Sequence, residues 1–175
     1  ANTGTLSPHD PPHAAVRAGS GPRHLAWHPN GKFVYAIQEL SNEIIAFSWD
    51  STKGTLQELQ TVPTLPEDFT GTNTAAEIAV HANGRFLYAS NRGHDSLAVF
   101  TVDESSGRLA LRQRVSSRGK TPRFFTFDPS HRWLIVNNQE GDSVAVFKVD
   151  SDSGELTPHG DLVPLARPMG VAFLR

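Results

Sequence analysis

The chain has 175 residues, a formal net charge of −2 and no cysteine. That length suffices for one domain with a hydrophobic core, the charge offers no basic surface for nucleic acid, and the lack of cysteine excludes disulfides and thiolate zinc sites. No apolar run approaches the roughly twenty residues of a membrane-spanning helix. We therefore expect a soluble protein with no nucleic-acid or membrane partner, and the lack of disulfides favours a cytoplasmic location.

Internal repeats organise the sequence. Three copies of one pattern begin with "GPRHLAWHPNGKFVYAIQEL", "TAAEIAVHANGRFLYASNRG" and "KTPRFFTFDPSHRWLIVNNQ", and they occupy residues 21–73, 74–119 and 120–165. The equivalent residues Phe47, Phe100 and Phe147 are separated by 53 and then 47 residues. Repeats of about this length are typical of β-propeller blades.

Each copy is patterned as four short strands. An apolar run is followed by a turn, a second run such as "FLYAS", another turn, an alternating segment such as "SLAVFTVD", and a last strand such as "LALRQRVSS". Alternation with period two indicates strands, and no helical period is sustained. We predict an all-β fold, a β-propeller with about three complete four-stranded blades.

The two ends of the chain match parts of a blade. Residues 3–20 begin with "TGTLSPHDPP", which is similar to the "SGELTPHGD" of the third copy, and we predict that they form the last strand of a preceding blade. Residues 166–175 contain "ARPMGVAFL" and are predicted to form the first strand of the next blade. Propellers close with four to eight blades. We therefore expect residues 1–175 to be one part of a propeller, completed by a parent chain, a second fragment or another subunit.

Differences between the copies single out candidate functional residues. Positions that serve packing are alike in all three copies, but Arg23 corresponds to Ala76 and Arg123, and Glu39 corresponds to Arg92 and Gln139. The shared architecture does not require those residue types. Arg23 and Arg123 stand at the start of innermost strands, which line the channel of a propeller, and closed β-architectures commonly bind ligands at the mouth.

These side chains suit an anionic substrate. Two guanidinium groups can hold phosphate or carboxylate oxygens through paired hydrogen bonds, and a nearby carboxylate can orient a water or accept its proton. We predict that Arg23, Arg123 and Glu39 are catalytic. The alternative is that Arg23 and Glu39 form a structural salt bridge between adjacent strands of one blade.

The sequence resembles a known family. The stretches "GPRHLAWHPNGKFVYAIQEL", "TLPEDFTGTNTAAEI", "GRFLYASNRGHDSLAVF" and "KTPRFFTFDPSHRWLIVNNQEGDSVAVF" are similar to the seven-bladed propeller lactonases, which include 6-phosphogluconolactonase of the propeller type and carboxymuconate lactonizing enzymes. The resemblance covers nearly the whole chain and corresponds to the C-terminal half of family members. It implies a site with a histidine, two arginines and a glutamate; Arg23, Arg123 and Glu39 match the last three, and the histidine belongs to an earlier blade that is not in this sequence.

The resemblance implies hydrolysis of a sugar δ-lactone, most simply that of 6-phosphogluconolactone, in carbohydrate metabolism. A muconate-type cycloisomerase acting on a dicarboxylate, and a non-catalytic propeller that binds a partner, remain alternatives. No cofactor is expected. His24 and His28 lie four residues apart on a predicted strand, too far apart to share an ion, so no metal site is expected.

Further polar residues near the predicted mouth are candidates for substrate binding. They share the height of Glu39 or adjoin Arg23, and they are His24, Asn91, Arg92, Asn138 and Gln139. In contrast, an aspartate recurs in every copy before the last strand, at Asp50, Asp103 and Asp150. Its recurrence indicates turn capping.

Overall fold

The computed structural model describes residues 4–174, and these contain β-strands and no helix. Twelve strands form three four-stranded antiparallel sheets, each a meander in chain order. The first sheet contains β1 (Pro22–Trp27), β2 (Phe33–Gln38), β3 (Glu43–Asp50) and β4 (Thr55–Pro63). The second contains β5 (Thr74–Val80), β6 (Phe86–Arg92), β7 (Ser96–Val102) and β8 (Leu109–Ser116). The third contains β9 (Pro122–Phe127), β10 (Trp133–Asn138), β11 (Ser143–Val149) and β12 (Leu156–Pro164). The predicted all-β fold is confirmed.

The two flanking segments are not strands in this structure. Residues 4–21 and 165–174 contain no strand, and residues 3 and 175 of the predicted segments lie outside the described part of the chain. A strand needs a neighbouring strand for its backbone hydrogen bonds. Neither segment pairs with a strand here, and each sheet consists of its own four strands. Ala14 and Val16 instead pack against the outer face of the first sheet.

The sheets pack face to face in chain order. Alternate residues of β2, such as Tyr35 and Ile37, pack against the second sheet, while Val34 and Ala36 point to the opposite face. The second sheet divides in the same way, with Leu87 towards the first sheet and another set of residues towards the third. Two hydrophobic cores result, one between each pair of neighbouring sheets. Because successive side chains of a strand point to opposite faces of the sheet, the period-two pattern of the sequence supplies residues to both faces.

Polar side chains join neighbouring sheets at repeated positions. The Tyr35 hydroxyl donates to the Gly107 carbonyl over 3.1 Å, and its equivalent Tyr88 donates to Gly154 over 2.7 Å. Burial raises the pKa of both tyrosines, so the hydroxyls remain protonated donors. Near the same end of the sheets the His28 ring donates to the Gly84 carbonyl over 2.9 Å. These bonds fix the distance and register between sheets that hydrophobic packing alone leaves adjustable.

The recurring aspartates cap turns, as predicted. The Oδ1 atom of Asp103 accepts hydrogen bonds from the backbone N–H groups of Ser105 and Ser106, and Asp50 and Asp150 do the same in their own turns. Hydrogen bonds from the Ser105 hydroxyl and from the backbone lower the pKa of Asp103 to about 2. Four residues later Gly107 has a φ of 70°, and an added Cβ would lie 2.4 Å from the Phe33 ring of the neighbouring sheet. Only glycine suits that position.

The Tyr88→Phe variant tests the bonds between sheets. We expect its free energy of unfolding to fall by about 1–2 kcal/mol, because the buried Gly154 carbonyl loses its donor while the ring volume is kept. Urea unfolding with an unchanged m-value measures this. Tyr35→Phe, which removes the equivalent bond between the first two sheets, should give a loss of similar size. An unchanged midpoint in both variants would show that these bonds do not stabilise the stack.

Candidate functional site

Charged side chains meet at one end of the innermost strands. Arg23 lies near the start of β1, Glu39 follows the last residue of β2, and Arg92 ends β6. Glu77 lies in the middle of β5 beside an irregularity in the pairing of β5 with β6. Because β1 and β5 are neighbouring innermost strands, face-to-face stacking brings these residues of two sheets together. We call Arg23, Arg92, Arg123, Glu39 and Glu77 the arginine cluster.

Glu39 is held by the neighbouring sheet. Its carboxylate accepts a short hydrogen bond from the Arg92 guanidinium, and its backbone carbonyl accepts the Ala75 N–H over 3.0 Å. Arg92 also donates to the Thr74 and Ala75 carbonyls, over 3.4 and 3.3 Å. The Arg92 side chain is 12% exposed and that of Glu39 is 34% exposed. The two residues, which occupy equivalent positions in the first and second copies, therefore form an ion pair between the sheets.

Arg23 contacts the same neighbouring sheet. Its guanidinium donates to the Ala76 carbonyl over 2.5 Å, and its Nε lies 4.0 Å from Glu39 Oε2. Burial lowers the pKa of Arg23, and the positive charges of Arg92 and Arg123 lower it further, while Glu77 and Glu39 act in the opposite sense. The distance of 4.0 Å makes the predicted Arg23–Glu39 salt bridge within one sheet a weak contact. The closer cationic partner of Glu39 is Arg92, which belongs to the second sheet.

His24 forms a pair with Glu77. The His24 Nδ1 atom lies 2.8 Å from Glu77 Oε1, which also accepts the backbone N–H of Ile78 over 3.1 Å. The His24 side chain is 43% exposed, whereas that of Glu77 is 10% exposed. The imidazole therefore faces solvent with a buried carboxylate behind it.

Arg123 is the cluster's unpaired cation. It is partly buried on β9, close enough to Arg23 to lower the pKa of that residue, yet its guanidinium makes no hydrogen bond or ion pair with residues 4–174. Three guanidinium groups thus share this end of the structure with two carboxylates. An anion would neutralise the excess positive charge.

Asn91 and Asn138 do not reach the surface that the cluster shares. Both are fully buried. Asn91 accepts a hydrogen bond from Thr64 over 2.7 Å and donates to Ser96 over 3.3 Å. It therefore links the segment that connects β4 to β5 with the start of β7. Asn138 donates to the Ser117 carbonyl over 3.1 Å. Their substrate-binding role predicted from the sequence is not supported by these positions. Gln139 is partly exposed and remains a candidate.

Sequence reasoning missed Glu77. The copies carry His24, Glu77 and Phe124 at equivalent positions, and this variation is the same signal that singled out Arg23. A glutamate within the apolar stretch "TAAEIAV" of an innermost strand was a second signal. Its partner could not be inferred, because that depends on which residue of the preceding sheet lies opposite.

A groove of about 580 Å³ lies away from the cluster, between the outer strands β4 and β8. Val62, Pro66, Leu111 and Arg114 are among the residues that line it. No group of three or more metal-binding side chains is formed by residues 4–174. Nor does that part of the chain contain a helix able to cross a membrane.

Comparison with known proteins identifies the family. The profile described as "Lactonase, 7-bladed beta-propeller" matches residues 1–173. The chain belongs to this family. The predicted resemblance is thereby confirmed, and the three sheets are blades of a lactonase propeller.

Individual lactonase relatives cover the same region. The chain is 50% identical over 112 residues to a 6-phosphogluconolactonase of Bacillus subtilis, covering 64% of this chain and 32% of the relative. The periplasmic gluconolactonase PpgL of Pseudomonas aeruginosa superposes with a TM-score of 0.91 and 37% identity, covering 97% of this chain and 47% of that one. A putative 6-phosphogluconolactonase of Bacteroides fragilis superposes with a TM-score of 0.86 at 33% identity, covering 94% and 45%. The chain thus spans less than half the length of each.

The Asn91→Ala variant separates a structural role of this residue from a substrate-binding one. We expect the free energy of unfolding to fall by about 1–3 kcal/mol, since Thr64 and Ser96 lose a buried partner. Gln139→Ala is the matched control, because this amide is partly exposed and makes no side-chain hydrogen bond among the described residues; its effect should stay within about 0.5 kcal/mol. Urea unfolding measures both. An unchanged stability of Asn91→Ala together with a raised KM would restore the substrate-binding role.

Proposed function

We propose that the protein hydrolyses a phosphorylated sugar lactone, with 6-phosphogluconolactone as the expected substrate. The observation that carries this proposal is the excess of guanidinium groups in the arginine cluster, above all the unpaired Arg123. Guanidinium groups bind phosphate oxygens in paired, directional hydrogen bonds. The family relationship and the Bacillus subtilis relative named 6-phosphogluconolactonase support the same substrate class.

The reaction needs little from the protein beyond binding and charge stabilisation. A water oxygen adds to the lactone carbonyl carbon, the ring C–O bond breaks, and a hydroxy acid is released. Negative charge develops on the carbonyl oxygen, and preorganised donors near that oxygen lower the barrier. In the proposed complex Arg123 binds the phosphate and Arg23 faces the carbonyl oxygen. Arg23 is held for that task by its 2.5 Å bond to the Ala76 carbonyl.

Glu39 has a supporting role in this arrangement. Its carboxylate is bound by Arg92 and approached by Arg23, so it holds two cations in place. Both of its oxygens face guanidinium groups, Oε1 that of Arg92 and Oε2 that of Arg23. The prediction from the sequence that Glu39 activates water therefore receives less support from the geometry than a role in positioning the arginines.

Substitution of Arg123 tests the substrate class. In the native polypeptide that contains these residues, Arg123→Gln should raise KM for 6-phosphogluconolactone by roughly 10-fold or more, because a charge-assisted phosphate contact is lost. The KM for unphosphorylated gluconolactone should change little. Arg108→Gln, which alters an exposed arginine before β8, is the matched control.

An equal rise in KM for both lactones in the Arg123→Gln variant would contradict a contact between Arg123 and the phosphate. A wild-type protein inert toward both lactones, but active on a carboxymuconolactone, would identify a cycloisomerase. A wild-type protein that acts on none of these three compounds, but from which a binding partner is recovered, would be a binding module.

We also propose that further blades of the same propeller cover the two outer faces of the stack. On the first sheet Leu25 and Trp27 are 60% and 52% exposed, although their strand is an innermost one. On the third sheet Asn137 is fully buried, and neither polar atom of its amide has a partner among residues 4–174. Its equivalent Ile37 faces the next sheet. Asn137 therefore points to the outer face of the third sheet, although its amide is itself enclosed by residues of this chain.

The mass of the native assembly tests this completion. Light scattering under native conditions should give at least roughly twice the 19.1 kDa of this chain, because the propellers of this family have seven blades and the chain supplies three. A monodisperse species of 19.1 kDa that stays active and does not bind a hydrophobic dye would contradict the proposal. The predicted cytoplasmic location also remains a proposal, and the Pseudomonas aeruginosa neighbour is described as periplasmic. Cell fractionation decides between the two locations.

A further inference from the structure

The His24–Glu77 pair joins two innermost strands and is not required by the blade architecture. His24 lies on β1 and Glu77 on β5, and the equivalent residue of the third blade is Phe124. A position occupied by histidine, glutamate and phenylalanine in three blades of one shape has no common packing role. The pair therefore has a role that is specific to the first two blades.

The contact with Glu77 assigns the tautomer of the imidazole. Glu77 Oε1 lies 2.8 Å from His24 Nδ1, and a carboxylate oxygen at that distance requires a hydrogen on the nitrogen. The Arg23 guanidinium, which donates to the Ala76 carbonyl over 2.5 Å, also lies 3.3 Å from Nδ1, but this contact is longer than the one with the Glu77 carboxylate. Since Nδ1 carries the hydrogen in the neutral ring, Nε2 is left with a lone pair.

The lone pair is available to a ligand. Nε2 of His24 makes no hydrogen bond within the described part of the chain, and the side chain is 43% exposed. Glu77 is held from behind by the Ile78 N–H and has a 10% exposed side chain, so its orientation is fixed. A neutral imidazole oriented by a buried carboxylate is the arrangement of a general base.

We propose that His24 is the proton acceptor of the lactone hydrolysis and that Glu77 is its positioning residue, a proposal that rests on the hydrolytic function proposed above. The Nε2 atom takes a proton from water as the water oxygen bonds to the carbonyl carbon. The resulting imidazolium returns that proton to the ring oxygen as the C–O bond breaks, which yields the hydroxyl of the product. Glu77 stabilises the imidazolium between these steps and stays ionised.

The charges around His24 determine the expected pH dependence. The charged side chains in contact with the His24 ring are Glu77 and Arg23, which lie 2.8 and 3.3 Å from its Nδ1 atom. Activity requires neutral His24, so kcat should fall as the pH drops. Removing the charge of Glu77 removes a group that favours the imidazolium, and this acidic limb should move to lower pH.

Two variants in the native polypeptide test the pair. His24→Ala should lower kcat for 6-phosphogluconolactone by roughly 10²-fold or more and abolish the acidic limb, and added imidazole should restore part of the rate. Glu77→Gln keeps an oxygen that can accept the Nδ1 hydrogen. It should lower kcat by roughly 10-fold or more, with little change in KM, and shift the limb to lower pH. A purely structural role would move neither the limb nor the imidazole response.

The controls use the same residue types outside the cluster. His159→Ala alters an exposed ring that packs on Trp133, and Glu155→Gln alters a surface ion pair with Arg112. Both should keep the wild-type kcat and pH profile. Retention of kcat and of the acidic limb in His24→Ala would overturn the proposal, provided that the wild type hydrolyses the lactone. Failure of the wild type to hydrolyse any lactone would instead overturn the proposed function.

Discussion

Burial of one four-stranded sheet against the face of the next is the interaction on which the rest of this structure depends. A single such sheet would leave both of its apolar faces in water, and its free energy of folding would be marginal. In the stack, Tyr35 and Ile37 fill one core while Val34 and Ala36 line the other face. A slip of one residue in the strand register would exchange these two sets. Hydrogen bonds from Tyr35, Tyr88 and His28 to carbonyls of the next sheet hold the correct arrangement.

The same packing creates the arginine cluster. Each of its short contacts crosses from the first sheet to the second: Arg92 to Glu39, Arg23 to the Ala76 carbonyl, and His24 to Glu77. Burying guanidinium groups costs free energy, and hydrogen bonds to carboxylate and carbonyl oxygens offset that cost. The lowered pKa of Arg23 reflects both its burial and the neighbouring cations. The cluster is thus stable enough to persist while Arg123 keeps its charge available for an anion.

Positions at which the three copies differ are not required by the shared blade architecture. Between the first two sheets the innermost strands carry His24 and Glu77, whereas the third has Phe124 at that position. The third copy also lacks the residues that tie one sheet to the next, because it carries Asp128 and Ile135 where the other copies have histidine and tyrosine. A blade that covered the outer face of the third sheet would therefore need other contacts.

The sequence by itself determined the repeat, the four strands of each copy and the capping aspartates, and it singled out Arg23, Glu39 and Arg123 as candidate site residues. These features follow from local periodicity and from comparing one copy with another, which needs no knowledge of distances. Only the tertiary structure decided that Arg92 is the main partner of Glu39, that Asn91 and Asn138 are buried ties, and that Glu77 lies behind His24. Glu39 and Arg92, like His24 and Glu77, are 53 residues apart in the sequence, and their meeting depends on how two sheets rotate and stack. That geometry is set by the whole core, so no local pattern can specify it.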